Sequence, residues 1–326
     1  MLYPLKFKPI FKEKIWGGDN LLKCLDKNIE KKSKIGESWE ISDRDDDSSV
    51  IINGELRGET LTDVLKKYGR KLIGSKPEDQ FLKRFPLLIK FIDANDKLSV
   101  QVHPNDKYAS KHEKGEFGKT EMWYIVHAKP GAYLISGLKT GTTKQQFKKL
   151  LEKNDLEGVL NKVKVKTGDV IFIPAGRVHA IMPGIVINEI QQNSDITYRV
   201  YDWGRRGFDG KARPLHVSKA LDVINFDDFS PQTARLHFTQ VGTNVMSILA
   251  RCLYFQVEKY ILNEKMKFIS DQSSFNIFSV VDGNAVLNWE TKELVMNKGE
   301  TILIPAEITS FAIYPQPVVT LIRTTV

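Results

Sequence analysis

Four side chains with metal-ligating chemistry are spaced so that strands could bring them together: Gln101, His103, Glu121 and His179. Residues two apart on a strand project from one face, so Gln101 and His103 can share a side of the run Gln101-Val102-His103. Glu121 opens the next apolar run, and His179 follows a glycine-proline turn, Gly168-x5-Pro174-x-Gly176-x2-His179. Two neutral imidazoles, a carboxylate and a side-chain amide suit a borderline divalent ion, with one position left open for water or substrate. Zinc is the first expectation, and manganese, iron or cobalt also accept such a nitrogen/oxygen set. A single histidine in a strand is more often a hydrogen-bonded core residue. The joint spacing with Gly168, Pro174 and Gly176 is what favours a shared site.

The elements that must position these groups read mostly as short strands broken by glycine, proline and aspartate. Strands are expected over 86–93, 98–102, 121–128, 132–137, 169–173, 185–191, 276–281, 301–304 and 318–323. Nothing regular and helical separates them, which predicts an antiparallel barrel or sandwich and not a doubly wound sheet. Helices are insertions. Leu61, Val64, Leu65, Tyr68 and Leu72 recur at helical spacing over 59–74, with Thr60 as cap and Gly74 as stop. Thr143 and Gln146 have capping-box spacing ahead of Phe147, Leu150 and Leu151. Val217, Ala220 and Leu221 mark a third helix over 216–224.

The stretch from Val163, VKVKTGDVIFIPAGRVHAI, is similar to KELVMNKGETILIPAEITSFAI from Lys292. In each, a glycine (Gly168, Gly299) precedes a proline (Pro174, Pro305) by six residues across an Ile-rich strand. Upstream, the run from Trp123 pairs loosely with that from Phe278, so one unit occurs twice, with a boundary near 227–240. The second copy has Ser310 in the place of His179 and Glu307 in that of Gly176. The chemistry therefore belongs to the first copy.

Totals narrow the class. A length of 326 residues predicts two domains, or one large domain with an appendage. With 41% apolar, 27% charged and 10% aromatic residues, the composition excludes a disordered or fibrous chain. No apolar run is long enough for a membrane helix, and the lysine-studded start lacks the apolar stretch of a signal peptide. Cys24 and Cys252 are too few for a disulfide framework, so a cytoplasmic protein with reduced thiols is expected. A net charge of +8 suits an anionic partner such as a phosphorylated metabolite. The lysines are scattered without an arginine-rich arm, so neither nucleic acid nor a membrane is the expected partner.

The pattern from Gly168 to His179 resembles the second signature of the cupin superfamily, with Pro183 where that signature has asparagine. The first signature is altered: its His-x-His reads Gln101-Val102-His103, and its glutamate is delayed to Glu121 by an insert around 111–119. Together with LSVQVHPND (98–106), GKTEMWYI, PAGRVHAI, EIQQNSDITYRVYDWGR, IWGG (15–18) and GESWEIS (36–42), this resembles the type I mannose-6-phosphate isomerase family over roughly the first 225 residues. The resemblance implies a mainly β fold of two cupin-type antiparallel β-barrels (jelly-roll) with inserted helices. A metal-binding catalytic domain would span 1–230, and a degenerate domain without metal ligands 231–326.

It further implies a metal-dependent aldose–ketose isomerase that interconverts mannose 6-phosphate and fructose 6-phosphate through a cis-enediol. One Zn2+ per chain would be held by Gln101, His103, Glu121 and His179. Arg199 falls on the family's active-site arginine, Glu189 on an acidic residue facing the pocket, and Lys119 on the lysine before the metal glutamate, with Thr120 in place of the intervening proline. The proton-transferring base is left open between Lys119, Glu189 and metal-bound water. Candidates for the phosphate are Lys90, Lys97, Ser99, Arg205 and Arg206, and Trp16 could line the pocket. The partner is a small-molecule sugar phosphate, and the chain is expected as a monomer or homodimer. Alternatives are another metal-cupin enzyme, such as an oxygenase or epimerase, and a non-catalytic sugar-binding cupin.

Overall fold

Alternation of side chains with period two organises the molecule. In the computed structural model, which describes residues 1–29, 34–228 and 236–326, twelve strands come first. They are β1 (Leu5–Lys6), β2 (Ile10–Gly18), β3 (Ile35–Ile41), β4 (Leu87–Ala94), β5 (Val100–Val102) and β6 (Glu121–Ala128). Then follow β7 (Tyr133–Leu138), β8 (Leu160–Lys164), β9 (Val170–Ile173), β10 (His179–Ile181), β11 (Ile185–Gln192) and β12 (Tyr198–Tyr201). A six-stranded sheet has the order β2-β3-β4-β11-β6-β9 and a five-stranded sheet the order β12-β5-β10-β7-β8. A third sheet of nine strands holds the C-terminal strands and β1. The fold is mainly β, and among the described residues each sheet is an open path that does not close on itself.

Ile92, Trp123, Ile125, Ile171 and Ile187 of the six-stranded sheet pack with Leu134 and Ile181 of the five-stranded one, so these two sheets face each other. The alternate residues Ile89, Phe91, Met122, Tyr124 and Ile190 point the other way, into a core shared with Val257, Ile277 and Leu303 of the nine-stranded sheet. The six-stranded sheet is thus buried on both faces, which explains why β4 and β11 lack an exposed residue.

The helix expected over 59–74 is two: Leu61–Tyr68 and Arg70–Ile73, broken at Gly69, whose φ of +48° leaves the helical region. Thr60 caps the first through a capping box with Asp63. Lys144–Glu152 and Val217–Val223 form as expected, burying Phe147 and Ala220. Asp106–His112 is an additional helix, capped by Asn105. It buries only Ala109, so it has no apolar stripe to read.

The repeat is visible as paired strands. Trp123 of β6 stands opposite Ile171 of β9, and Phe278 of Asn276–Trp289 opposite Ile302 of Thr301–Ile304. The expected division at 230/231 lies outside the described residues. The two halves are stitched at the chain start, where Leu5 of β1 pairs with Leu303.

Candidate functional site

Three site residues stand in one row across the five-stranded sheet. Arg199 of β12 is opposite Gln101 of β5, and Gln101 is opposite His179 of β10. His103 follows the end of β5, and Glu121 opens β6 on the facing sheet. Ligating atoms of His103, Glu121 and His179 lie within 4.8 Å of one another, all three residues being buried. His103 Nε2 is 3.6 Å from Glu121 Oε2, and His179 Nε2 is 3.5 Å from Glu121 Oε1. Each ring commits Nδ1–H to a backbone carbonyl, that of Ile196 at 2.7 Å for His103 and that of Arg177 at 2.9 Å for His179. Those bonds leave both Nε2 lone pairs aimed at the carboxylate. Burial holds His103 well below the usual imidazole range and His179 down to about 4, so both rings are neutral at pH 7.

This donor set fits a divalent cation. His103 Nε2 and both oxygens of Glu121 are buried without a hydrogen bond, and Glu121 is approached by Lys119 Nζ at 3.2 Å. Burying acceptors unpaired costs on the order of several kcal/mol. A single cation among them satisfies all of them together. The Gln101 amide nitrogen lies 3.2 Å from His179 Nε2, and a half-turn of the amide offers its oxygen to the same point.

On the six-stranded sheet a second row runs Trp39, Lys90, Glu189, Trp123 across β3, β4, β11 and β6. The Trp123 indole donates to Glu189 Oε1 at 3.0 Å, leaving Oε2 buried without a hydrogen bond. Lys90 Nζ lies 3.5 Å from Glu37, 3.7 Å from Glu189 and 3.7 Å from Asp195. Burial, then the neighbouring Glu121 charge, pushes Glu189 up to about 7. Burial works against Glu37 ionising, but Lys90 and Lys14 outweigh it and hold that carboxyl at about 2. Lys90, opposed in the same way by burial, is raised above an ordinary lysine by Glu37, Asp195 and Glu189.

A cavity of about 310 Å³ has Gln101, Lys119, Glu189 and Arg199 in its wall. Arg199 donates to the Pro214 carbonyl at 2.8 Å, and its Nε is buried without a partner. Burial, followed by the Arg213 charge, lowers its pKa. A small, strongly polar chamber with one unsatisfied guanidinium donor and one unsatisfied carboxylate suits a compact polyhydroxylated anion.

Of the seven residues singled out from the sequence, Gln101, Lys119, Glu189 and Arg199 line the cavity, while His103, Glu121 and His179 form the buried cluster, tied to that wall by Gln101 beside His179 and Lys119 beside Glu121. Of the phosphate candidates, Lys90 and Ser99 line the cavity, as does Trp16. Arg205 is instead folded onto Asp202 and the Lys97 carbonyl, Arg206 onto the Gly210 carbonyl, and Lys97 stands 4.4 Å over the Trp203 ring. Sequence reasoning passed over Lys14, Glu37, Asp195, Thr197 and Arg213, which also line the cavity. Glu37 and Asp195 lie within the quoted GESWEIS and SDITYR blocks, so a signal was present; Arg213 lies in no motif.

Comparison with known proteins gives a consistent match. Residues 4–119 match the family model for the phosphomannose isomerase type I catalytic domain, and residues 245–325 that for the mannose-6-phosphate isomerase cupin domain. Mannose-6-phosphate isomerase ManA of Bacillus subtilis is 39% identical over 94% of this chain and 95% of that protein. Mannose-6-phosphate isomerase of Streptococcus mutans is 34% identical over 95% of each. A crystal structure of the mannose 6-phosphate isomerase from Bacillus subtilis superposes with a TM-score of 0.91 at 34% identity, covering 100% of both chains. The Salmonella typhimurium enzyme, at 16% identity and a TM-score of 0.76 over 99% of both chains, shares the fold.

Proposed function

The chain belongs to the type I phosphomannose isomerase family and interconverts mannose 6-phosphate and fructose 6-phosphate; we propose that it does so with one zinc ion held by Gln101, His103, Glu121 and His179. Family membership displaces the oxygenase, epimerase and non-catalytic alternatives. The observation that carries the metal reading is the buried Glu121 carboxylate, free of hydrogen bonds and facing two neutral imidazole nitrogens. The cupin reading of two jelly-roll units, 1–230 with the ligands and 231–326 without them, rests on the repeat and on the matched cupin domain at 245–325.

Isomerisation moves a proton between the two carbons flanking the carbonyl, through a cis-enediol. A bound divalent cation would act as a Lewis acid toward the oxygen charge that builds as the carbon loses its proton. Glu189, with Oε2 unpaired and Oε1 fixed by the Trp123 indole, is the group best placed to carry that proton, an effect of roughly 10²–10⁴-fold. Lys119 pairs with Glu121 from the cavity wall and keeps ammonium protons for a sugar oxygen. Arg199 opposes these groups from the other sheet and stabilises the enediolate with a fixed positive charge. Lys90 and Ser99 are retained as candidate polar contacts to the sugar phosphate. A cytoplasmic monomer or homodimer remains the expectation; among the described residues no helix is long and apolar enough to cross a membrane.

Elemental analysis of the purified protein, coupled to a mannose 6-phosphate assay with and without chelator, tests this. The expected result is about one zinc per chain, with activity lost on chelation and restored by zinc. Full activity without any metal would overturn it.

A further inference from the structure

The C-terminal unit contributes no metal ligand, yet the tip of one of its hairpins enters the catalytic unit. Between strands Asn244–Arg251 and Gln256–Leu262, the tip places Phe255 in the buried core, edge-on to Phe172 of β9 with ring centres 6.5 Å apart. Beside it, the Tyr254 hydroxyl donates to Asp106 Oδ2 at 2.6 Å, across 148 residues of sequence. The other oxygen of Asp106 accepts the Gly118 amide at 2.7 Å and the Gln192 side-chain amide at 3.0 Å. Gln192 in turn accepts the Thr120 backbone amide on Oε1 at 2.9 Å, and its backbone N–H donates to the Thr120 carbonyl at 3.2 Å. Lys119, between these two, donates its amide to the Pro104 carbonyl at 2.9 Å.

Three consecutive backbone amides, those of Gly118, Lys119 and Thr120, are therefore each fixed, immediately ahead of Glu121. The approach is close: a Cβ at Gly118 would sit 2.5 Å from the Asp106 amide nitrogen. We infer that Asp106 and Tyr254 are positioning residues for the metal centre, with the C-terminal hairpin setting, through Asp106 and Gln192, where Lys119 and Glu121 stand. A carboxylate accepting three donors fixes a loop in one place, and partners outside a ligand set commonly change metal affinity by about 10–100-fold.

The inference rests on Glu121 being a metal ligand, and the test separates the two claims. Zinc retention against a graded chelator, kcat, KM and thermal unfolding are measured for wild type, Asp106→Ala, Asp106→Asn, Tyr254→Phe and Phe311→Leu. Phe311→Leu serves as a destabilised control from the C-terminal core. Asp106→Ala is expected to weaken zinc binding by about 10–100-fold and to lower kcat. Tyr254→Phe, which removes one hydroxyl and keeps the ring, weakens it by about threefold to tenfold. Asp106→Asn stays within about threefold, because its oxygen still accepts from Gly118 and Gln192 while its amide donates to Tyr254. Wild-type zinc affinity and kcat in Asp106→Ala and Tyr254→Phe, with only the lowered melting temperature of Phe311→Leu, would overturn the positioning role. If wild type itself binds no zinc, it is the metal assignment that fails.

Discussion

The two units keep the same turn and differ in what fills their interiors. Gly168 and Gly299 take φ of +93° and +80° ahead of the strands that lead to Pro174 and Pro305. After the first turn comes His179, buried; after the second comes Ser310, exposed. The interior of the C-terminal unit is aromatic: Phe268 stacks on Phe311 with ring centres 5.1 Å apart, and Phe278 meets Phe268 edge-on at 5.3 Å. Among its described residues the buried carboxylate is Glu258, paired with Arg323 at 2.9 Å. The first unit buries Glu37, Lys90, His103, Lys119, Glu121, His179 and Glu189, linked by close charged contacts from Glu37 through Lys90 to Glu189 and from Lys119 through Glu121 to both histidines. A β-sandwich does not require such a cluster, since Phe and Ile fill the same frame. Buried polar atoms left unpaired are tolerated where a ligand completes them.

The sharpest way to break this contrast is His179→Ala. Loss of a ligand is expected to reduce turnover roughly 10³-fold or more and to lower bound metal; unchanged metal content with full turnover would dismiss the ligand set. Arg199→Ala is expected to keep its metal while turnover falls about 10²–10³-fold, and near wild-type activity would remove the electrostatic role of the guanidinium. In the other interior, Phe311→Leu should cost about 1–2 kcal/mol in denaturant unfolding and leave kcat per folded molecule unchanged. A matching loss of kcat would mean that the aromatic interior shares in the chemistry. A pH-dependent effect on stability is expected from Glu37→Gln. With its folded value lowered from 4.5 to about 2, Glu37 adds stability above about pH 4.5 and loses it as the pH falls toward 2. The variant should therefore show a flatter decline of unfolding midpoint between pH 5 and 3, and parallel acid limbs would contradict the Lys90–Glu37–Lys14 arrangement.

How much was legible depended on whether a residue's partner was near in sequence. The β9–β10 turn could be read because glycine, proline and histidine fall at fixed offsets, and Gln101 with His103 because strand period two is local. β6 and Thr301–Ile304 were expected at the bounds they have. The inner charged row was not readable. It requires β11 to insert between β4 and β6, a crossover that no local pattern encodes, and only then do Lys90, Glu189 and Trp123 become neighbours. Glu37 reaches Lys90 the same way, through β3 beside β4. Arg213 comes from an irregular segment whose place depends on sharing Asp202 with Arg205. The break at Gly69 was hidden because a glycine within an apolar stripe reads equally as interior or stop.

The short strand Leu5–Lys6 has a consequence for how the molecule is made. Its partner, Leu303, lies about 300 residues further along, counting from 5 to 303. At a synthesis rate of about 5–20 residues per second, Leu5–Lys6 waits roughly 15–60 s for the strand it will pair with. The five- and six-stranded sheets can assemble during that interval, whereas the nine-stranded sheet must wait for Thr301–Ile304 and Ser310–Thr325. A ribosome-arrested fragment ending near residue 290 would then display an unpaired edge that the finished enzyme never exposes.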